Sequence, residues 1–120
     1  MLAYEIRAFG QRLGLESLEL SAEGLARLDI DGIGAFYLDL AEQGGRRELL
    51  IYLSSPLPEH DTDSTRRLLK LCDYRNGLPM PLSAGVFSGR AILLTRIDEG
   101  AVTAASLENA LRFLAENLHG

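Results

Sequence analysis

Residues 25–40 read Leu25-Ala26-Arg27-Leu28-Asp29-Ile30-Asp31-Gly32-Ile33-Gly34-Ala35-Phe36-Tyr37-Leu38-Asp39-Leu40, and this stretch decides the fold. Ala26, Leu28 and Ile30 alternate with Arg27 and Asp29, the period of two that a half-buried strand requires. Asp31-Gly32 is a tight-turn signal, and the chain returns as a second run over 35–40. After Gln43-Gly44-Gly45-Arg46, the run Glu48-Leu49-Leu50-Ile51-Tyr52-Leu53 predicts a third strand and an antiparallel meander. That third run is apolar on both faces, which demands cover on both sides or leaves an adhesive face exposed.

Working outward, Leu2, Ile6, Phe9 and Leu13 recur on one face of a helix expected over 2–14, with Gly14 as its stop. A short extended piece at Ser17–Leu20 is expected to precede the meander. Downstream, Pro56 and Pro58 end the third strand. Asp61-Thr62-Asp63-Ser64 is rich in capping residues, so a second helix is expected from 63 or 64, with Thr65, Leu68, Leu69 and Cys72 as its buried stripe. Asn76-Gly77 stops it, and Pro79 and Pro81 hold the next stretch extended. Strands over 82–87 and 91–97 flank a hairpin turn at Ser88-Gly89-Arg90, and Asp98-Glu99-Gly100 is a further turn. A last helix over 103–118 has Thr103 as its cap and Leu107, Leu111, Leu114 and Leu118 in line. The order α-βββ-α-ββ-α predicts an α+β domain with a twisted, mostly antiparallel sheet and three helices.

Length and composition agree. The 120 residues suit one domain over 1–120. A content of 47% apolar and 24% charged residues is that of a globular chain. No apolar run approaches the roughly 18 residues of a membrane span. Met1-Leu2-Ala3-Tyr4-Glu5 carries an acid where a secretory signal would place lysines, so a cytoplasmic protein without membrane contact is expected. Seventeen acids against twelve bases leave a net charge of −5, which repels a nucleic-acid backbone. Arg46-Arg47 and Arg66-Arg67-Lys70 sit among acids and read as solvated faces.

The sequence nominates no catalytic group. Cys72 cannot form an internal disulfide, and it falls on an apolar helical stripe where buried free cysteine is common. Asp29-Ile30-Asp31-Gly32 fails as a calcium loop, because the fifth and twelfth positions are Ile33 and Leu40. His60 with Asp61 and Asp63 lies in a Pro-bounded loop where caps are expected, so no metal is assigned. Gly32-Ile33-Gly34 lacks the third glycine of a phosphate cradle. Gly85-Val86-Phe87-Ser88-Gly89 has Phe87 where a nucleophile elbow needs serine. No cofactor is implied. What remains is a surplus of apolar side chains, with 24 leucines among them, that one thin sheet cannot hide. Self-association is the simplest outlet, and a stretch of client polypeptide is the next.

This pattern resembles the class I type III secretion chaperones, the Tir-chaperone family of small acidic bacterial proteins. The resemblance runs from Leu2 to Leu118. It rests on element order and on local phrases: Phe9-Gly10-Gln11-Arg12-Leu13-Gly14-Leu15 as the helix end, then the segment over 17–24, then Leu28–Asp31 and Ala35–Leu40 as paired strands. Leu93–Asp98 and Leu107–Phe113 resemble the last strand and final helix. The resemblance implies a non-enzymatic, ATP-independent homodimer that holds an extended N-terminal segment of a secreted effector in the bacterial cytoplasm. It assigns effector binding to the first helix and early sheet, here Ile6, Phe9, Leu13, Phe36, Leu38, Ile51 and Leu53. It assigns the dimer interface to the second helix and the strand after it, here Leu68, Leu69, Cys72, Leu82, Ala84 and Val86. Core packing is the competing expectation for each of these side chains.

Two other functions stay open at this level. An adaptor or regulator of the same fold would bind a folded partner instead of an extended one. A small ligand-binding or isomerase-like enzyme would need several helices before its sheet and a buried acid, whereas Asp29 and Asp39 fall on outward strand positions.

Overall fold

The structure, a computed structural model, describes residues 1–56, 66 and 81–119. Helix α1 (Leu2–Arg12) leads into strands β1 (Leu25–Ile30), β2 (Gly34–Gln43) and β3 (Arg46–Pro56). Strands β4 (Ser83–Phe87) and β5 (Arg90–Asp98) follow, then a 3-10 turn at Glu99–Ala101 and helix α2 (Ala104–His119). The strands form one antiparallel sheet in the order β1-β2-β3-β5-β4. The helix expected from 63 or 64 lies outside the described residues.

Pleat and register sort the side chains. Phe36 sits opposite Leu53, Leu38 opposite Ile51 and Leu53 opposite Leu93, so these residues share one face. Ile6 and Phe9 from α1, and Leu107, Ala110 and Leu114 from α2, pack onto that face and are fully buried. Burying each large side chain contributes about 1.5–3 kcal/mol, so this layer between helices and sheet is the core. Thr95 shares it, and its buried hydroxyl has no hydrogen-bond partner among the described residues.

The helix ends follow their local chemistry. In α1 the helix stops two residues before the expected boundary, with Gly14 at φ +84° donating its N–H to the Gln11 carbonyl at 3.1 Å. Thr103 caps α2 as its sequence position predicts: Thr103 Oγ1 accepts from the Ser106 N–H at 2.9 Å, while Ser106 Oγ accepts from the Thr103 N–H at 2.8 Å. A third donor at that terminus, the Ala104 N–H, is bound by Glu5 Oε1 of α1 at 2.9 Å.

Strands β2 and β3 outrun their apolar stretches, because the ladder continues through Glu42 opposite Arg47 and Gln43 opposite Arg46. Backbone pairing needs no apolar side chain, and the Gly44-Gly45 turn closes it. Ser17–Leu20 joins no ladder and runs beside α1 with Leu18 buried. Gly10 makes room for it, since a Cβ there would lie 2.6 Å from Leu18 Cβ.

Candidate partner-binding surfaces

Six of the seven side chains expected to touch a client are core. Ile6, Phe9, Phe36, Ile51 and Leu53 have no exposed surface and Leu38 has 1%. Only Leu13, 38% exposed, could reach a partner. The reason is geometric. The apolar stripe of α1 faces the inward positions of β2 and β3, and α2 closes the layer beside it. Of the residues expected at a dimer interface, Leu68, Leu69 and Cys72 lie outside the described residues. Leu82 and Ala84 are half-buried against the core, and Val86 on β4 is 48% exposed.

The opposite face of the sheet is different. Among the described residues no element covers it. Tyr37 of β2 stands directly across from Tyr52 of β3, and Tyr52 across from Leu94 of β5, all half-buried. These residues line or border a hollow of about 750 Å³ that runs from Leu25 and Arg27 on β1 to Phe87 and Arg90 at the β4–β5 hairpin. Phe87 is 72% exposed. The hairpin turn, Ser88 at φ 51° and Gly89 at φ 74°, holds it at the rim.

Charged groups frame this hollow. The Arg27 guanidinium lies 5.4 Å from the centre of the Tyr37 ring and 3.0 Å from Asp29 Oδ1. The hydrogen bond that Arg27 donates to Asp29, and then the charge of Asp29, hold Arg27 more firmly protonated than usual. Arg90 donates from Nε to Ser54 Oγ at 2.8 Å and from Nη2 to the Ser54 carbonyl at 3.2 Å. Burial first, and the Asp39 carboxylate second, push the Tyr52 hydroxyl above its ordinary pKa.

A second hollow, of about 580 Å³, lies at the start of α1. Leu2, Leu20, Leu40 and Val102 supply apolar wall, and Glu19 stands beside the Arg47–Glu99 ion pair of 3.2 Å. Met1 and Tyr4 are exposed nearby. The sheet edge is close too. Leu40 donates its N–H to the Gly24 carbonyl, and the alternation of an antiparallel ladder then turns the backbone groups of Arg27 and Asp29 away from β2.

Sequence reasoning assigned neither Phe87 nor the Tyr37–Tyr52 pair to a surface. A signal for the pair was present: Tyr52 and Leu50 are the second apolar face of the third strand. Phe87 carried no such signal, because an apolar residue at the end of a short strand reads as core. Two absences hold among the described residues: no group of three or more His, Cys, Asp or Glu could hold a metal, and no helix is long and apolar enough to cross a membrane.

No curated protein matches the chain. Solved structures share its fold. In the ExsC–ExsE complex, the similar chain has a TM-score of 0.76 at 24% identity, over 98% of this chain and 88% of that one. For the HopA1–SchA chaperone–effector complex the TM-score is 0.73 at 19% identity, over 98% and 89%. The Yersinia pestis type III secretion chaperone SycH, in complex with a stable fragment of YscM2, gives 0.68 at 18% identity, over 98% and 97%. The family model for the type III secretory system chaperone SycN matches residues 2–119. With a match over nearly the whole sequence and an antiparallel α+β fold of the same kind, this chain belongs to the type III secretory system chaperone SycN family.

Proposed function

We propose that the chain, a single domain over 1–120, acts in the bacterial cytoplasm as a homodimer that holds the N-terminal segment of a secreted effector extended and ready for export. The role needs no ATP, cofactor or chemical step. The observation that carries this reading is the apolar hollow at the start of α1 beside the β1 edge. An unfolded segment presents alternate apolar side chains and unpaired backbone groups; a hollow takes the first and a strand edge the second. Client contact on the α1 side is assigned to Leu2, Leu13, Leu20 and Leu40, which keep exposed surface at the border of the core; of these the sequence had nominated Leu13 alone. Ordering a flexible segment costs binding energy, so a long wrapped contact is required to offset it.

The test is capture of the tagged chain from its own bacterium, with limited proteolysis and mass spectrometry of what accompanies it. The expected result is one dominant companion, protected over a segment near its N-terminus, at two protomers per client. A folded companion with no protected segment would favour an adaptor and overturn this reading.

A further inference from the structure

We propose that Glu19 selects the client segment: the hollow at the start of α1 takes an apolar anchor that carries a Lys or Arg two residues away, and that cation pairs with Glu19. This rests on the reading of the hollow as the client's seat and adds the chemistry of the segment that it accepts.

The neighbours of Glu19 fix its place. Leu18 is buried in the notch that Gly10 leaves, and Leu20 is half-buried in the wall of the hollow. The stretch is thus pinned on both sides of Glu19, whose own side chain is exposed and lines the hollow. The hollow lies at the Arg47 end of β3. Pro56, the last described residue of that strand, is about 30 Å away along it.

Charge makes Glu19 the group that a partner can engage. Of the three charged side chains around the hollow, Arg47 and Glu99 are joined to each other at 3.2 Å. Glu19 forms no ion pair with a described residue, the amino group of Met1 at the same hollow included. The chain carries −5, so an acidic segment is repelled on approach and a basic one is drawn in.

The geometry of an extended segment sets the spacing. Residues i and i+2 point to the same side, about 6–7 Å apart. With one of them among Leu2, Leu20, Leu40 and Val102, the other stands at the lip beside Glu19. A purely apolar segment fills the hollow and leaves Glu19 without a partner.

The experiment selects phage-displayed random 16-residue peptides on the full chain and on Glu19→Lys, and sequences both pools. Glu19 is exposed, so the variant keeps its fold, which circular dichroism checks. The wild-type pool is expected to be rich in Leu, Ile, Met or Phe with Lys or Arg two residues away. On Glu19→Lys the apolar residues stay and the basic partner gives way to Asp or Glu. For the leading wild-type peptide, fluorescence anisotropy should show a dissociation constant raised about three-fold by Glu19→Gln and about ten-fold by Glu19→Lys. Leu2→Asn, in the wall of the hollow, should weaken it as well. Pools of the same charge on both proteins, or a leading peptide indifferent to Leu2→Asn, would overturn the role of Glu19 and leave the client reading standing. A wild-type pool without apolar anchors would overturn both.

Discussion

The Phe9 ring of α1 lies 5.8 Å from the Phe36 ring of β2, tilted by 47°, and neither has any exposed surface. That pair joins the first helix to the sheet and removes both residues from any client surface. Phe9→Ala is therefore expected to cost about 3–5 kcal/mol of stability, and Phe9→Asp to prevent folding. Urea unfolding followed by circular dichroism measures the first. A folded Phe9→Asp protein would show that the ring is not core.

Gly10 and Leu18 form a second close contact. Alanine normally favours a helix interior over glycine by about 1 kcal/mol. At Gly10 the sign reverses, because the new Cβ would press on Leu18 Cβ at 2.6 Å. Gly10→Ala is expected to lower the urea midpoint. In a double-mutant cycle, Leu18→Gly, which removes the Cβ that the new methyl meets, should cost less in the Gly10→Ala background than in wild type. Additive effects would mean that the two residues do not press on each other.

Glu5 holds the start of α2 from α1 through its bond to the Ala104 N–H. Removing it leaves a helix-terminal donor without its partner, at a cost of about 1 kcal/mol. Thr103→Ala removes the adjacent cap at a similar cost of about 1 kcal/mol. Thermal unfolding of Glu5→Ala and Thr103→Ala checks both, and an unchanged midpoint in Glu5→Ala would discount the link between the helices.

Tyr52 sets a limit at high pH. Burial and the Asp39 carboxylate raise its pKa in the folded chain above the ordinary 10.0. The unfolded chain therefore loses this proton first as pH rises. The stability tied to the neutral phenol is fully present below pH 10.0 and is lost between there and the raised folded value. Tyr52→Phe should lose less stability across that window, as urea midpoints at several alkaline pH values would show. Identical pH profiles for the two proteins would contradict the shift.

Much of the architecture was legible in residue order. β1 begins and ends where the alternation of Leu25–Ile30 does, and Thr103 caps the last helix from the expected place. Leu107, Leu111, Leu114 and Leu118 all turn inward as their spacing requires. These features are local: strand alternation, a capping hydroxyl and a helical stripe act within a few residues of themselves. The candidate surfaces were less legible. An apolar stripe has the same pattern whether it meets its own sheet or another chain, so Ile6 and Phe9 read equally as core or as contact.

By itself, then, the sequence determined the α+β class, the meander with its turns, the cap of the last helix, and the family through its resemblance. Only tertiary structure decided which apolar residues remain outside. Placing α1 and α2 on one face of the sheet buries Phe36, Leu38, Ile51 and Leu53, and leaves Tyr37 and Tyr52 on the other. Exposure depends on what packs from distant parts of the chain, and no local period of side chains encodes that.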